Sequence, residues 1–215
     1  MDTVWENRDL ILDGFAMTVR LFAVSGLLAL VAGTLLAIMR VGPIPPVRWA
    51  ASTYVTVLRN TPLTLVFVFS TFGLPRLEVR LEFVTFAIVA LTAYTSAFVC
   101  EAVRAGINSV AAGEIEAARA LGLSFRQVLT LVVLPQAFRA IVPPLTGVFN
   151  ALLKNTSVAV AFNVAEANAI YRRLQNLDGS ATIPLLLTLA GGYVVLAAVL
   201  FGASRLVERR VAAVR

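Results

Sequence analysis

The stretch EIEAARALGLSFRQVLTLVVLPQ, residues 114–136, lies between two strongly apolar blocks and decides how the whole chain is read. Glu114 and Glu116 sit early in a short alanine-rich helix and Arg119 sits late, each at the end its charge prefers in the field of the aligned peptide dipoles. Gly122 then supplies a residue that can close the helix in the left-handed conformation. Ser124 and Gln127 form an S-x-x-Q capping box, so a second helix starts at once and is predicted to end or kink at Pro135. A short polar helix is thereby held in a fixed turn, and Ala117, Ala118 and Ala120 give it a thin surface that a partner can approach closely. From these residues alone, an ordinary amphipathic loop helix and a docking element both remain open.

The surroundings of this stretch belong to a bilayer. Of 215 residues, 59% are hydrophobic and 14% charged, which points to an all-α integral membrane protein. The net charge of +6 comes from arginines scattered between apolar runs, without an RNA or DNA motif; they read as topology determinants, and no nucleic acid partner is expected. Cys100 is the single cysteine, in an apolar run that suits a small buried residue, and there is no histidine. Disulfide frameworks, histidine metal sites and histidine-dependent triads are excluded, so neither a metal ligand nor a catalytic residue is assigned. The sequon Asn155-Thr156-Ser157 lies at membrane depth and is discounted as a glycosylation site.

Five spans are predicted. The opening MDTVWENRDLILDG lacks the basic start of a secretory signal, so the first apolar run, residues 15–39, is read as a retained span that RVGPIPPVR ends. The apolar run 62–75 is too short to cross alone, so the second span is drawn from about 49–57 onward, with RNTP in its cytoplasmic part. The third covers about 83–103. The region 128–162, punctuated by Pro135, Pro143, Pro144 and KNTS, is read as one interfacial segment plus one span, and the last span covers about 183–203. Arg40 and Arg48, then Arg104, Arg119, Arg126 and Arg139, then Arg205, Arg209, Arg210 and Arg215 follow spans one, three and five. The excess of arginine makes those loops cytoplasmic and puts the N-terminus outside and the C-terminus inside.

With these residues in view, the chain resembles the permease subunits of bacterial ATP-binding-cassette importers. The pattern is E-A-A, a glycine, an apolar residue and L-P, carried here by Glu116, Ala117, Ala118, Gly122, Val132, Leu134 and Pro135. GFAMTVRL, RNTPL, YTSAFVCEAVRAGINSV, LPQAFRAIVPPL and LLKNTSVA are similar to the polar amino acid, HisMQ-type subfamily, and the likeness runs over nearly the whole chain. It implies a type I importer permease fold of five transmembrane helices plus a short cytoplasmic coupling helix at about 112–123, within a transmembrane domain at 14–206. Residues 1–13 form an extracytoplasmic segment and 207–215 a cytoplasmic tail. Glu114, Glu116, Ala117, Ala118, Ala120, Leu121 and Gly122 are the implied ATPase-coupling residues. The implied partners are a second identical or homologous permease, two ATPase subunits, an extracytoplasmic solute-binding protein and membrane lipid. The implied localisation is the bacterial cytoplasmic (inner) membrane, as a multi-pass protein. No G-x-x-x-x-G-K-[ST] loop occurs, so ATP and Mg are assigned to the partner ATPase, with no cofactor and no enzymatic activity in this chain.

The substrate pathway is read from polar residues near the spans: Arg59, Thr61, Glu101, Lys154, Asn155, Thr156, Ser157 and Glu166. Arg59 either meets an anionic substrate or serves structure and gating. Glu101 and Arg104, three apart, can pair on one helix face. Glu166 either caps or gates outside the fourth span. Lys154, the single lysine, either faces a cavity with the amide and hydroxyls of Asn155, Thr156 and Ser157 or snorkels to an interface. RNTPLTLV, KNTS and VAEA together look like glutamate uptake permeases of actinobacterial type, many relatives having Asp rather than Asn after the lysine. Glutamate is the first substrate expected, ahead of glutamine or a cationic amino acid. The rival reading is an ion-coupled secondary amino acid carrier working without ATPase subunits, which needs no coupling helix. A membrane scaffold or an intramembrane enzyme ranks below it.

Overall fold

The computed structural model describes residues 2–213, and every regular element among them is helical. In chain order these are α1 (Asp2–Glu6), α2 (Arg8–Val41), α3 (Pro45–Asn60), α4 (Leu63–Val68), α5 (Phe83–Asn108), α6 (Ala112–Ala120), α7 (Phe125–Gln127), α8 (Leu134–Asn155), α9 (Ala167–Leu177) and α10 (Thr182–Ala213). Residues 214 and 215, at the end of the expected tail, lie outside the described residues, and so does Met1. Four of the helical stretches are long and apolar enough to cross a membrane: Arg8–Val41, Phe83–Asn108, Phe125–Phe162 and Gly179–Arg210.

The second expected span departs from its prediction. α3 and the helical run Leu63–Leu77 meet at 110°. The cause is Pro62: its ring excludes the helical conformation at the preceding residue, and Thr61 is extended at φ −98°, ψ 131°. Leu63–Leu77 alone is roughly 22 Å long at about 1.5 Å per residue, short of a bilayer core of about 30 Å. Two helices thus meet at a sharp corner, the geometry of a broken span or a re-entrant loop, where the sequence suggested one continuous span.

The fourth region departs in the opposite sense. Phe125–Phe162 is one helical run, where an interfacial segment plus a separate span was expected. Pro135 does not end the helix, because Val128–Val133 just before it widens into a π turn that changes the ladder at the ring. Pro143 and Pro144 lie inside α8 without breaking it. The run closes in a 3-10 turn, Thr156–Phe162, capped by Asn163 in the left-handed conformation at φ 59°.

Packing rests on small residues. Along α2, Ser25, Ala29, Gly33 and Ala37 recur every fourth position and are all buried. A Cβ on Gly33 would lie 2.5 Å from the Cβ of Val99, so only glycine lets α2 and α5 approach this closely. Cys100 is buried in the same contact, as read from the sequence. A second cluster joins Leu21, Phe67, Leu91 and Leu152 to Phe162, whose ring stacks on Phe67 at 4.9 Å. At the far end, Thr3 Oγ1 donates to Asp178 Oδ2 at 2.7 Å and ties α1 to the entry of α10. The most apolar window of Gly179–Arg210 is only 6% buried, against 50% for that of α5, so most of this apolar length faces away from the rest of the chain.

Candidate functional site

α6 and its flanks follow the local chemistry of their sequence closely. Glu114 is in the first turn and Arg119 in the last. Gly122 takes φ +82°, its N–H reaches the Arg119 carbonyl at 2.9 Å, and the Leu123 N–H reaches the Ala118 carbonyl at 3.2 Å. This pair of bonds is the Schellman closure, which requires a left-handed residue. Ser124 and Gln127 form both halves of the capping box. Glu114 accepts a hydrogen bond from Gln136 Nε2, so the first turn of α6 is tied to the start of α8. Glu114, Glu116, Ala117, Ala120 and Gly122 are exposed, and Leu121 and Phe125 are 84% and 71% exposed. Ala118 differs from the expected thin surface: it points inward and is buried.

Glu101 is the centre of a four-residue ion cluster at the same end of the bundle. Its Oε1 is 2.6 Å from Arg40 Nη1 and 3.2 Å from Arg59 Nη1, and its Oε2 is 2.9 Å from Arg104 Nη2. The pair with Arg104 is the one the spacing suggested, and α2 and α3 add two further guanidinium groups. Arg59 also lies over the Phe98 ring, 5.8 Å from its centroid. Thr61, on the corner, donates back to the Val57 carbonyl at 2.8 Å and caps α3.

Phe98 leads from this cluster into a cavity of about 460 Å³ between α5 and α8, lined by Tyr94, Phe98, Pro144, Gly147 and Asn155 among others. Asn155 is the one member of the KNTS stretch that lines it. Lys154 is exposed, Thr156 is fully buried with its hydroxyl on the Leu153 carbonyl, and Ser157 donates to the Lys154 carbonyl at 2.7 Å. Consecutive residues on a helix point about 100° apart, so these four cannot converge on one ligand within a single chain. The cavity thus offers an amide, aromatic faces and a nearby guanidinium.

Glu166 stands apart from this group. Its side chain is fully buried and caps α9, accepting from the N–H groups of Asn168 and Ala169, each at 3.0 Å. Tyr193 donates its hydroxyl to Glu166 Oε2 at 3.2 Å, and Thr18 Oγ1, which accepts from the Ala167 N–H, is 3.5 Å from the same oxygen. One carboxylate so joins α2, α9 and α10.

The family and the fold are shared with known proteins. A family model described as "Binding-protein-dependent transport system inner membrane component" matches residues 29–213. The chain belongs to this family. The permease is 37% identical over 187 residues to the "Probable glutamine ABC transporter permease protein GlnP" of Bacillus subtilis, covering 86% of each chain. It is 36% identical over 209 residues to the glutamate transport system permease protein GluC of Corynebacterium glutamicum, covering 91% of this chain and 92% of that one. Its fold matches the crystal structure of an amino acid ABC transporter with histidines at a TM-score of 0.88 and 28% identity, over 96% of both chains. Family membership sets it among ABC inner-membrane components and gives no support to an ion-coupled carrier.

Two features of the permease escaped sequence reading. α9 was not foreseen because its hydropathy is low, yet Glu166 as an N-cap followed by Ala167, Ile170 and Leu174 at helical spacing carries the signal. The approach of Arg40 to Glu101 bridges 61 positions, and no local spacing reports it.

Proposed function

We propose that this permease imports a polar amino acid, glutamate first, across the bacterial cytoplasmic membrane by alternating access. The observation that carries the reading is the cavity in which Asn155 faces Tyr94 and Phe98, with Arg59 stacked behind Phe98. An acidic amino acid brings two carboxylates, and an amide donor near a guanidinium suits them in a medium of low dielectric. In this reading a second permease completes the pathway, a solute-binding protein delivers substrate from the N-terminal side, and two ATPase subunits hold ATP and Mg. Each ATPase receives α6 in a groove. The exposed Leu121 and Phe125 beside the Schellman turn supply the apolar anchors for that contact. The N-terminus lies outside and the C-terminus in the cytoplasm, in keeping with the arginine distribution.

The test is uptake of labelled glutamate and glutamine by the complete complex in vesicles. Asn155→Asp introduces a carboxylate beside the bound anion and is expected to lower glutamate uptake at least about tenfold, roughly 1.4 kcal/mol, while glutamine loses less. Unchanged glutamate uptake removes residue 155 from the path, and equal losses for both solutes reduce it to a helix-end role. Gly122→Val is expected to abolish uptake while insertion persists. A Cβ at Gly122 meets no atom within 4 Å, so the cost is confined to the left-handed backbone. Gly122→Asn, which tolerates that conformation, is expected to retain most of the activity. Normal uptake by Gly122→Val contradicts docking through α6.

A further inference from the structure

A trough of about 700 Å³ runs between α2, α5 and α8, with the end of α10 at Arg210 beside it, at the end of the bundle that carries α6, and the proposed substrate path makes no use of it. Its walls include Ile38, Val103, Ile107 and Phe138, and among the described residues its charged lining is Arg139 and Arg210. Its size suits a small-molecule ligand, but an amino acid would lose the hydration of two charges against hydrocarbon walls. The occupant that fits is amphipathic, apolar along its length and anionic at one end.

We propose that this trough binds an anionic phospholipid, an acyl chain lying against Ile38, Val103, Ile107 and Phe138 and the phosphate meeting Arg139 and Arg210. Guanidinium groups present paired donors to phosphate oxygens, and arginines beside apolar helices at the membrane surface draw anionic headgroups. Charge also argues against a second copy of the chain as occupant. Here α10 carries Arg205, Arg209 and Arg210 against Glu208, and the same end adds Arg40, Arg48, Arg59, Arg104, Arg119 and Arg126 against Glu101, Glu114 and Glu116, so a second copy would bring a net like charge to the trough. The site is separate from the Asn155 cavity, so the proposal stands whether or not glutamate is the solute.

Native mass spectrometry of the purified complex, taken from vesicles of equal phosphatidylglycerol and phosphatidylcholine, reads the lipid retained. The wild-type complex is expected to keep phosphatidylglycerol preferentially, and inorganic phosphate is expected not to displace it. Arg139→Gln and Arg210→Gln should each lower retained phosphatidylglycerol on the order of fivefold and leave phosphatidylcholine unchanged. Ile38→Trp, which fills the trough from a position 56% exposed, should lower retention of both lipids. Equal retention of the two lipids by the wild type overturns the proposal even where a variant fails to assemble. So does retention that is indifferent to both arginine changes, or displacement by inorganic phosphate. A disulfide forming between two copies of an Ile38→Cys variant assigns the trough to the permease pair and overturns it too.

Discussion

Glu166 and Glu101 are both carboxylates that join three helices, and they do so by opposite means. Glu166 is fully buried and is held by neutral donors: two backbone N–H groups and the hydroxyl of Tyr193, with that of Thr18 beside it. Glu101 keeps 21% of its side chain exposed and is held by the guanidinium groups of Arg40, Arg59 and Arg104. The first fixes backbone, because its partners include the first turn of α9. The second fixes charge, because without it three cations would face one another at the corner between α3 and α4. A neutral-donor cluster can be sealed from water, whereas a cluster with net positive charge is tolerable where water still reaches it.

The largest test of this contrast is Glu166→Ala. It leaves several buried donors unpaired and removes a helix cap, and is expected to cost about 3–4 kcal/mol in the unfolding of the purified permease, with no dependence on salt. A loss below about 1 kcal/mol would mean that water takes the place of the carboxylate and that the two clusters are alike. Glu101→Ala comes next, at about 2 kcal/mol in low salt, and raising the ionic strength to about 0.5 M should recover around half of it as the cations are screened. A salt-independent loss there would erase the distinction. Arg104→Gln sharpens the picture from the other side, since Arg40 and Arg59 still neutralise Glu101. Its expected cost is about 0.5 kcal/mol, typical of a solvent-accessible helix pair.

Asp178 provides the smallest effect and an intermediate case. The Ser180 hydroxyl, and after it that of Thr3, hold its carboxyl below the usual range. A lowered value means that the ionised form is the one the fold prefers. The tie between α1 and α10 is therefore complete above about pH 4 and is lost as the pH falls through the lowered value. Trp5, on α1 and 69% exposed, reports this as a gain in fluorescence mobility, and Asp178→Asn should flatten the profile.

Much of the molecule was legible because its signals are local. Gly122 and the Ser124–Gln127 box specify their turns within a few residues, and the length of the apolar runs located α2, α5 and α10. What was misread involves prolines, whose effect depends on what surrounds them. Pro62 bends the path by 110°, while Pro135, Pro143 and Pro144 leave one continuous run. The difference lies in the residues before each ring: Thr61 swings to an extended conformation, whereas Val128–Val133 absorbs Pro135 by widening. The site was half legible for a similar reason. Arg59, Glu101 and Asn155 were picked out by type, but which of them meet depends on how α2, α3, α5 and α8 cross. Helical phase alone scatters Lys154, Thr156 and Ser157 away from Asn155.

The widened turn Val128–Val133 has an angular meaning. A π turn holds one residue more than the α turn it replaces, and each residue of an α-helix advances the azimuth by about 100°. Removing a single residue there would restore a regular ladder and swing everything before it by roughly that amount about the axis of α8. The bond from Gln136 to Glu114 would lose its alignment, and α6 would present a different azimuth to whatever lies beneath it. The orientation of α6, a nine-residue exposed helix, is thus stored as one surplus residue in a continuous helical run of 38.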